Sequence, residues 1–268
     1  NPDAISFVTF VPLPNGTTIY FNDNEWNESA IGAGGAFIDN AEGAITWTNN
    51  TTNTISAGTI ITIQSAQAGP TVNLGTVSES DAGFNIQAGN EAIYMFLGSD
   101  DYTPTTFLSA IANNGFVLAN GSLANTGLSD GTNAVNIGSI DANADMMVYT
   151  GSTICTSIAA CVTAIATAGN WDAQDGAGDE SVDTIFPDLP GDEPVNFYGV
   201  VFEPVTYYSR QSGNWDDRNS WTTNADGTGG PLAAGIWPAS CDNVVIRAGH
   251  TITVNAVTDY QSFAVTAD

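Results

Sequence analysis

Along most of the chain, apolar and polar residues alternate in short runs. This is the period-two pattern of strands with one face in a core and the other in water. The runs predict strands at residues 4–11, 18–22, 44–47, 59–63, 84–86, 92–97, 107–111, 135–137 and 145–149. Asn15-Gly16, Ala33-Gly34-Gly35, Ala57-Gly58, Ala88-Gly89 and Asp130-Gly131 stand between them and supply turn chemistry. Short strands broken by turns at intervals of roughly 8–12 residues predict an all-β sandwich.

One stretch changes period. Residues 156–168 are rich in alanine, and Ile158, Cys161, Val162 and Ile165 fall on one helical face. Gly169 stands where a glycine stops a helix. A lone amphipathic helix beside a sandwich is expected to cap the core, without chemistry of its own. A shorter helical piece is expected at 110–114.

Residues 172–194 carry Asp172, Asp175, Asp179, Glu180, Asp183, Asp188, Asp192 and Glu193 among glycines and prolines. Such a segment is either a linker or a calcium-ordered loop. Residues 196–202 return to a strand that closes a first domain, 1–203. The second region, 204–268, has β-branched strands on either side of Ala248-Gly249 and a further strand at 260–266. Strands repeated around a glycine corner suit the first rungs of a β-solenoid. The chain enters a strand just after Asn1-Pro2-Asp3, and its last residues read as the middle of a sheet; the expectation is a piece of a longer protein.

Charge narrows the partners. The chain holds 29 acidic residues against 3 basic ones, no lysine, and a net charge of −26. Nothing here replaces the counterions of a nucleic acid, so a phosphate-backbone binder is excluded. Anionic membrane surfaces are disfavoured for the same reason, and no window approaches the roughly 20 apolar residues of a membrane span. Divalent cations remain natural partners of clustered carboxylates, while the simpler reading is acidity that keeps an extracellular protein soluble.

Three segments offer oxygen ligands for calcium. Asp23 and Glu25 lie in the turn that leaves the strand 18–22. Asp172, Asp175, Asp179 and Glu180 lie where Gly176 and Gly178 let the backbone curl. Asp141, Asn143 and Asp145 open like an EF-hand, but Met146 replaces the needed glycine and Ser152 the bidentate glutamate, which rejects that motif. A solvated polar loop is the alternative for each.

Catalytic patterns are missing from the sequence. The single histidine, His250, follows Ala248-Gly249 and reads as a hydrogen bond at a corner; no serine or cysteine elbow accompanies it. No Cys/His spacing suits a metal. Gly32–Gly35 and Gly227–Gly230 lack the Lys-Ser/Thr of a phosphate loop. The reading is a protein that is not an enzyme. Of six tryptophans, most are expected to fill the core. Trp215 and Trp221, flanked by polar residues, are expected to be exposed and to bind ligand, stacking on sugar rings. Cys155 and Cys161 are expected to form a disulfide, with buried thiols as the alternative; Cys241 is left over. Asn15, Asn27, Asn49, Asn50 and Asn120 head formal glycosylation sequons without functional weight.

Two family resemblances follow. Ala4-Ile5-Ser6-Phe7-Val8, then Leu13-Pro14-Asn15-Gly16 through Phe21-Asn22-Asp23-Asn24-Glu25-Trp26, then Glu42-Gly43-Ala44-Ile45-Thr46-Trp47 and Ala57-Gly58-Thr59, resemble the lamin-tail-like, immunoglobulin-like N-terminal modules of large secreted proteins, especially of Bacteroidota. Ser212-Gly213-Asn214-Trp215, Trp221, Trp237-Pro238, Asp242-Asn243-Val244-Val245-Ile246 and Gly249-His250-Thr251-Ile252-Thr253-Val254 resemble the module that leads β-helical regions in cargo of the type IX secretion route. Asp183-Thr184-Ile185 fits the short pattern that such bacteria O-glycosylate. The resemblances imply an extracellular, cell-surface protein, an adhesin or gliding-motility component. Its partners would be a carbohydrate or protein surface, the rest of a parent chain and the secretion machinery. An accessory region of a large secreted hydrolase and a subunit of an extracellular fibre are the competing readings.

Overall fold

The computed structural model describes residues 4–38, 42–67, 69–85, 89, 91–155, 157–175, 197, 206–233, 237–238 and 243–254, and the backbone of Val265–Ala267. Its secondary structure is mostly β. The chain divides into two compact units, Asn1–Val200 and Val201–Asp268.

Unit 1 is built on a six-stranded sheet. Its order is β6 (Thr76–Asp81), β3 (Ala44–Thr48), β2 (Thr18–Asn22), β7 (Ala92–Asp100), β8 (Thr103–Ala112) and β9 (Ala134–Asn136). Neighbours run antiparallel except β8 and β9, which are parallel. A three-stranded sheet has the order β1 (Ile5–Val8), β4 (Ile60–Gln64) and β5 (Thr71–Val72). Phe7, Ile61 and Ile63 of the small sheet share one core with Ile19, Phe21, Ile45, Trp47 and Ile93 of the large one. Phe7 stands at its centre, edge-on to Trp47 at 5.3 Å and tilted against Phe21 at 5.2 Å. Each such side chain contributes about 1.5–3 kcal/mol by leaving water.

The run Ala92–Leu97 is apolar without alternation because both faces of β7 are covered. Ile93 and Met95 pack into the first core, whereas Tyr94 and Phe96 face a second one with Trp26, Phe37 and Phe107. The excursion that follows β2 folds back to supply it: Trp26 and Phe37 pair across an isolated bridge, and Asn27 holds the loop through Ser29, Gly34 and Ala36.

Several expectations are corrected. The piece 110–114 is the end of β8 rather than a helix, because Ala110 and Ala112 pair with β7 and β9. Residues 84 and 85 are not in a strand. β6 carries no apolar alternation beyond Val77, since it is an edge strand; its Ser and Glu positions hid it from the sequence pattern. β11 (Trp171–Gln174), antiparallel to β10 (Met146–Tyr149), lies where the sequence suggested an acidic loop. The helix α1 spans Ile158–Ala166, with the Ser157 hydroxyl accepting from the Ala160 amide. It ends at Thr167 rather than on Gly169: Thr167 leaves the helical region, and Asn170 and Thr167 side chains satisfy the carbonyls of Ala164 and Thr163. The closing strand expected at 196–202 lies outside the described residues apart from Phe197, which donates its amide to Gly58.

Unit 2 inverts the strand geometry. β12 (Thr206–Ser209), β15 (Asn243–Ile246) and β17 (Val265–Ala267) form a parallel ladder, and β13 (Gly213–Asn214) pairs in parallel with β16 (Ile252–Thr253). Among the described residues of unit 2, only β14 (Trp221–Thr222) is antiparallel, on the outer edge of β12. Tyr207, Trp215, Trp221 and Val244 form the core beneath, with Ile246, Ile252 and Val254 against it.

Candidate functional site

The exit of β2 gathers the most perturbed carboxylates. Asn22 pairs with Ala44, so the antiparallel register sets Asp23 beside Gly43 and Asn24 beside Glu42. Asn22, Asp23 and Asn24 are buried. Asp23 Oδ1 accepts from the Gly43 amide at 2.7 Å, and Oδ2 accepts from the Asn85 amide at 2.8 Å. One carboxylate thus ties three segments together. Gly43 must be glycine here, because a Cβ would sit 2.1 Å from the Phe84 nitrogen. Beside it, the Asn24 amide group reaches the Tyr102 hydroxyl, which donates to Asp81 Oδ2 at 2.7 Å.

Burial pushes the Asp23 carboxyl up to about 6, against the two amides that pull it down, with Asp81 adding to the rise. Glu42 goes to about 7, first through burial and then through Glu25 and Asp23. Its Oε2 is shut off from solvent without a hydrogen bond. No lysine, arginine or histidine occurs anywhere in unit 1 to offset these charges. Glu42 was not among the residues singled out by sequence. The signal that finds it is register: once the strands 18–22 and 44–47 are paired as a hairpin, residue 42 must face residue 24.

In this turn the Asp23 carboxylate is engaged by backbone amides. Asp23 is an internal clamp, and Glu25, half-buried, also takes part in the backbone, its carbonyl accepting from Ile38. The second candidate set is also divided. Asp172 lies within β11, whereas Asp175 follows its last residue. The Asp172 carboxylate turns to the Ala173 amide, while the Asp175 amide donates to Asp141 Oδ2 at 3.2 Å. The register Met146↔Gln174 places Asp145 across from Asp175, so the loop 141–145 meets the start of the acidic segment. Asp179 and Glu180 lie outside the described residues. Among the described residues, no group of three or more His, Cys, Asp or Glu side chains is placed to hold a metal.

No family model, no curated protein and no solved structure matches the chain. The site is therefore read from geometry alone.

The tryptophan expectation is corrected in the same terms. Trp215 and Trp221 are 3% and 0% exposed, too enclosed to stack on a ligand. They pack edge to face at 5.2 Å; Trp215 Nε1 donates to the Pro238 carbonyl at 3.0 Å, and Trp221 Nε1 to the Trp215 carbonyl at 2.7 Å. The polar residues around them in sequence misled, because Arg218–Ser220 forms a short 3-10 turn that folds Trp221 inward. Trp237 is instead the tryptophan with an open face, 41% exposed. Cys155 and Cys161 are joined by a disulfide within a buried cluster containing Tyr149 and Phe197. Cys155 precedes the helix and Cys161 lies in it, so the bend at Ser157 brings them together. His250 Nδ1 lies 2.8 Å from the hydroxyl of Ser209, itself fully buried and accepting the Arg247 amide. That is a corner hydrogen bond. Asn49 is fully buried as well, spanning Leu13, Thr51 and Asn53; its sequon is a structural asparagine.

Proposed function

We propose that the chain is a non-catalytic module of a secreted, surface-displayed protein. In this reading a lamin-tail-like sandwich leads into a β-solenoid that carries an adhesive surface. The observation that supports it best is the parallel stacking in unit 2, where Tyr207 pairs with Val244 and Val244 with Val265. Parallel neighbours need long crossovers, and no described residue between 206 and 254 is α-helical. Crossovers of that kind are coils that stack rather than βαβ units.

The ligand class follows from charge and from Trp237. A chain at −26 repels acidic partners, and an open indole face suits the apolar face of a neutral sugar. Trp237 sits on a fixed base, since the carbonyl of Pro238 is held by Trp215. A glycan array probed with the whole chain, and then with Trp237→Ala, tests this. Binding to neutral glycans that falls about tenfold or more on loss of the aromatic platform is expected; equal binding by both proteins, or none by either, overturns it. Calcium is proposed for the acidic loops beside β10 and β11, where Asp141 and Asp175 meet. Thermal unfolding at fixed ionic strength reads it by mass action. A loss of stability on chelation that magnesium does not restore is expected, and no change removes calcium from the account.

A further inference from the structure

The outer edge of β12 is covered in an unusual way. Its inner edge takes β15 in parallel, while the outer edge takes β14 for only two pairs, Tyr208↔Thr222 and Ser209↔Trp221. β14 belongs to an excursion that leaves at Trp215 and returns by Asn243. Two of the three arginines in the chain are spent on that excursion. Arg210 donates through Nε to the Gly229 carbonyl at 2.9 Å and through Nη1 to the Asn219 carbonyl at 3.5 Å. Its own amide donates to the Ser220 carbonyl at 2.7 Å. Arg247 Nη1 donates to the Asp226 carbonyl. Gly227, with φ +72°, lets the loop pass close, because any Cβ there would overlap the Arg247 guanidinium.

These are cations in a protein rich in carboxylates, yet they grip main-chain carbonyls of one loop. A bare β-strand edge offers unpaired N–H and C=O groups to any other strand, and stacked-coil proteins need capped ends to stay apart. We infer that residues 216–233 form an end cap, latched by Arg210 and Arg247, that keeps the β12 edge from pairing with a second copy of this chain. The second copy is the fitting occupant because β14 already shows that this edge accepts an antiparallel strand. Two β12 edges meeting across a two-fold axis are antiparallel by symmetry. The inference stands on the pairing in unit 2 and does not require the adhesive reading above.

The test is the double variant Arg210→Gln/Arg247→Gln, with Arg218→Gln as the control that loses charge but neither clamp. Sedimentation velocity runs in roughly 0.5 M salt, which screens the repulsion between copies. The double variant is expected to dimerise with concentration and to exchange its residue 210 amide about tenfold faster, while wild type and the control stay monomeric. A variant that remains monomeric at every concentration, or whose residue 210 amide exchanges as in wild type, overturns the inference. If the double variant loses the near-ultraviolet signal of the Trp215–Trp221 pair, hydrogen exchange in the wild type decides. The Arg210 amide, bonded to the cap, must then exchange ahead of the Trp215 amide, which donates to Thr253 in the parallel ladder; coincident exchange rejects a separable cap.

Discussion

The two units solve one problem with different charged groups. Each carries long irregular loops whose backbone groups must be satisfied. Unit 1, which has no basic side chain, buries a charged acceptor: Asp23 takes the amides of Gly43 and Asn85, while neutral groups serve both ways, Asn27 accepting from Ser29 and Ala36 and donating to Gly34, and the Trp47 indole donating to Leu74. Unit 2 adds charged donors: beside the indoles of Trp215 and Trp221, the guanidinium groups of Arg210 and Arg247 hold carbonyls, and its accepting carboxylates, Asp217 and Asp226, take amides of Asn219 and Thr228 in exposed turns. A carboxylate acceptor changes with pH and is costly to bury; an indole or guanidinium donor keeps its proton across the physiological range. The difference teaches that unit 1 should respond to protons and unit 2 to packing.

The largest expected effect breaks the unit 2 side of the comparison. Trp221→Ala removes a fully buried ring and the donor that fixes the Trp215 carbonyl. Loss of about 3–5 kcal/mol is expected, enough to unfold a small unit. Calorimetry should show the transition of unit 1 persisting while that of unit 2 disappears. A single cooperative transition that merely shifts would mean the units are not separate folding bodies.

How far this was legible in sequence differs between the units for the same reason. The strands 18–22 and 44–47 and the run from residue 92 announced themselves because apolar residues dominate strands that bury one or both faces. β6 did not, because an edge strand with Ser78, Glu79 and Ser80 buries little. The fates of Trp215 and Trp221 were hidden because burial takes polar neighbours along with them: Ser220 and Thr222, on either side of Trp221, are buried too. Asp23 drew notice as an oxygen ligand, but its burial depends on Gly43 and Asn85, 20 and 62 residues away in sequence. Local pattern cannot carry a contact of that range.

On the unit 1 side, Asp23→Ala leaves two amides without acceptors. Each costs about 1–3 kcal/mol when buried, so a loss of about 2–4 kcal/mol in denaturant unfolding is expected. Asp23→Asn should lose less, since its one carbonyl oxygen still serves either amide. Equal stability of Asp23→Ala and wild type would show that water replaces the clamp. A smaller effect attends the disulfide. Cys155→Ser/Cys161→Ser frees a short loop, for which the chain-entropy account gives about 2 kcal/mol. Reduction of the wild-type protein should lower the unit 1 midpoint to the same extent and leave unit 2 in place.

The smallest effect sharpens the comparison most, because it isolates charge. Asp23 and Glu42 both have folded-state values raised above the ordinary carboxylate range, to about 6 and about 7. The folded state therefore binds more protons than the unfolded chain between the two sets of values, and stability falls as pH rises. The contribution is complete below the unfolded values near 4 and is lost as pH climbs through about 6 for Asp23 and about 7 for Glu42. Unit 1 should thus unfold at lower denaturant at pH 8 than at pH 5, with no matching slope in unit 2. Glu42→Gln takes away the higher of the two steps, since an amide keeps the shape without the charge. It should raise unit 1 stability at pH 8 by a modest amount, roughly 1 kcal/mol or less, and flatten the profile between pH 6 and 8. A profile in Glu42→Gln that overlays the wild type would place the pH response elsewhere. Loss of the slope in Asp23→Asn alone would assign it to the clamp.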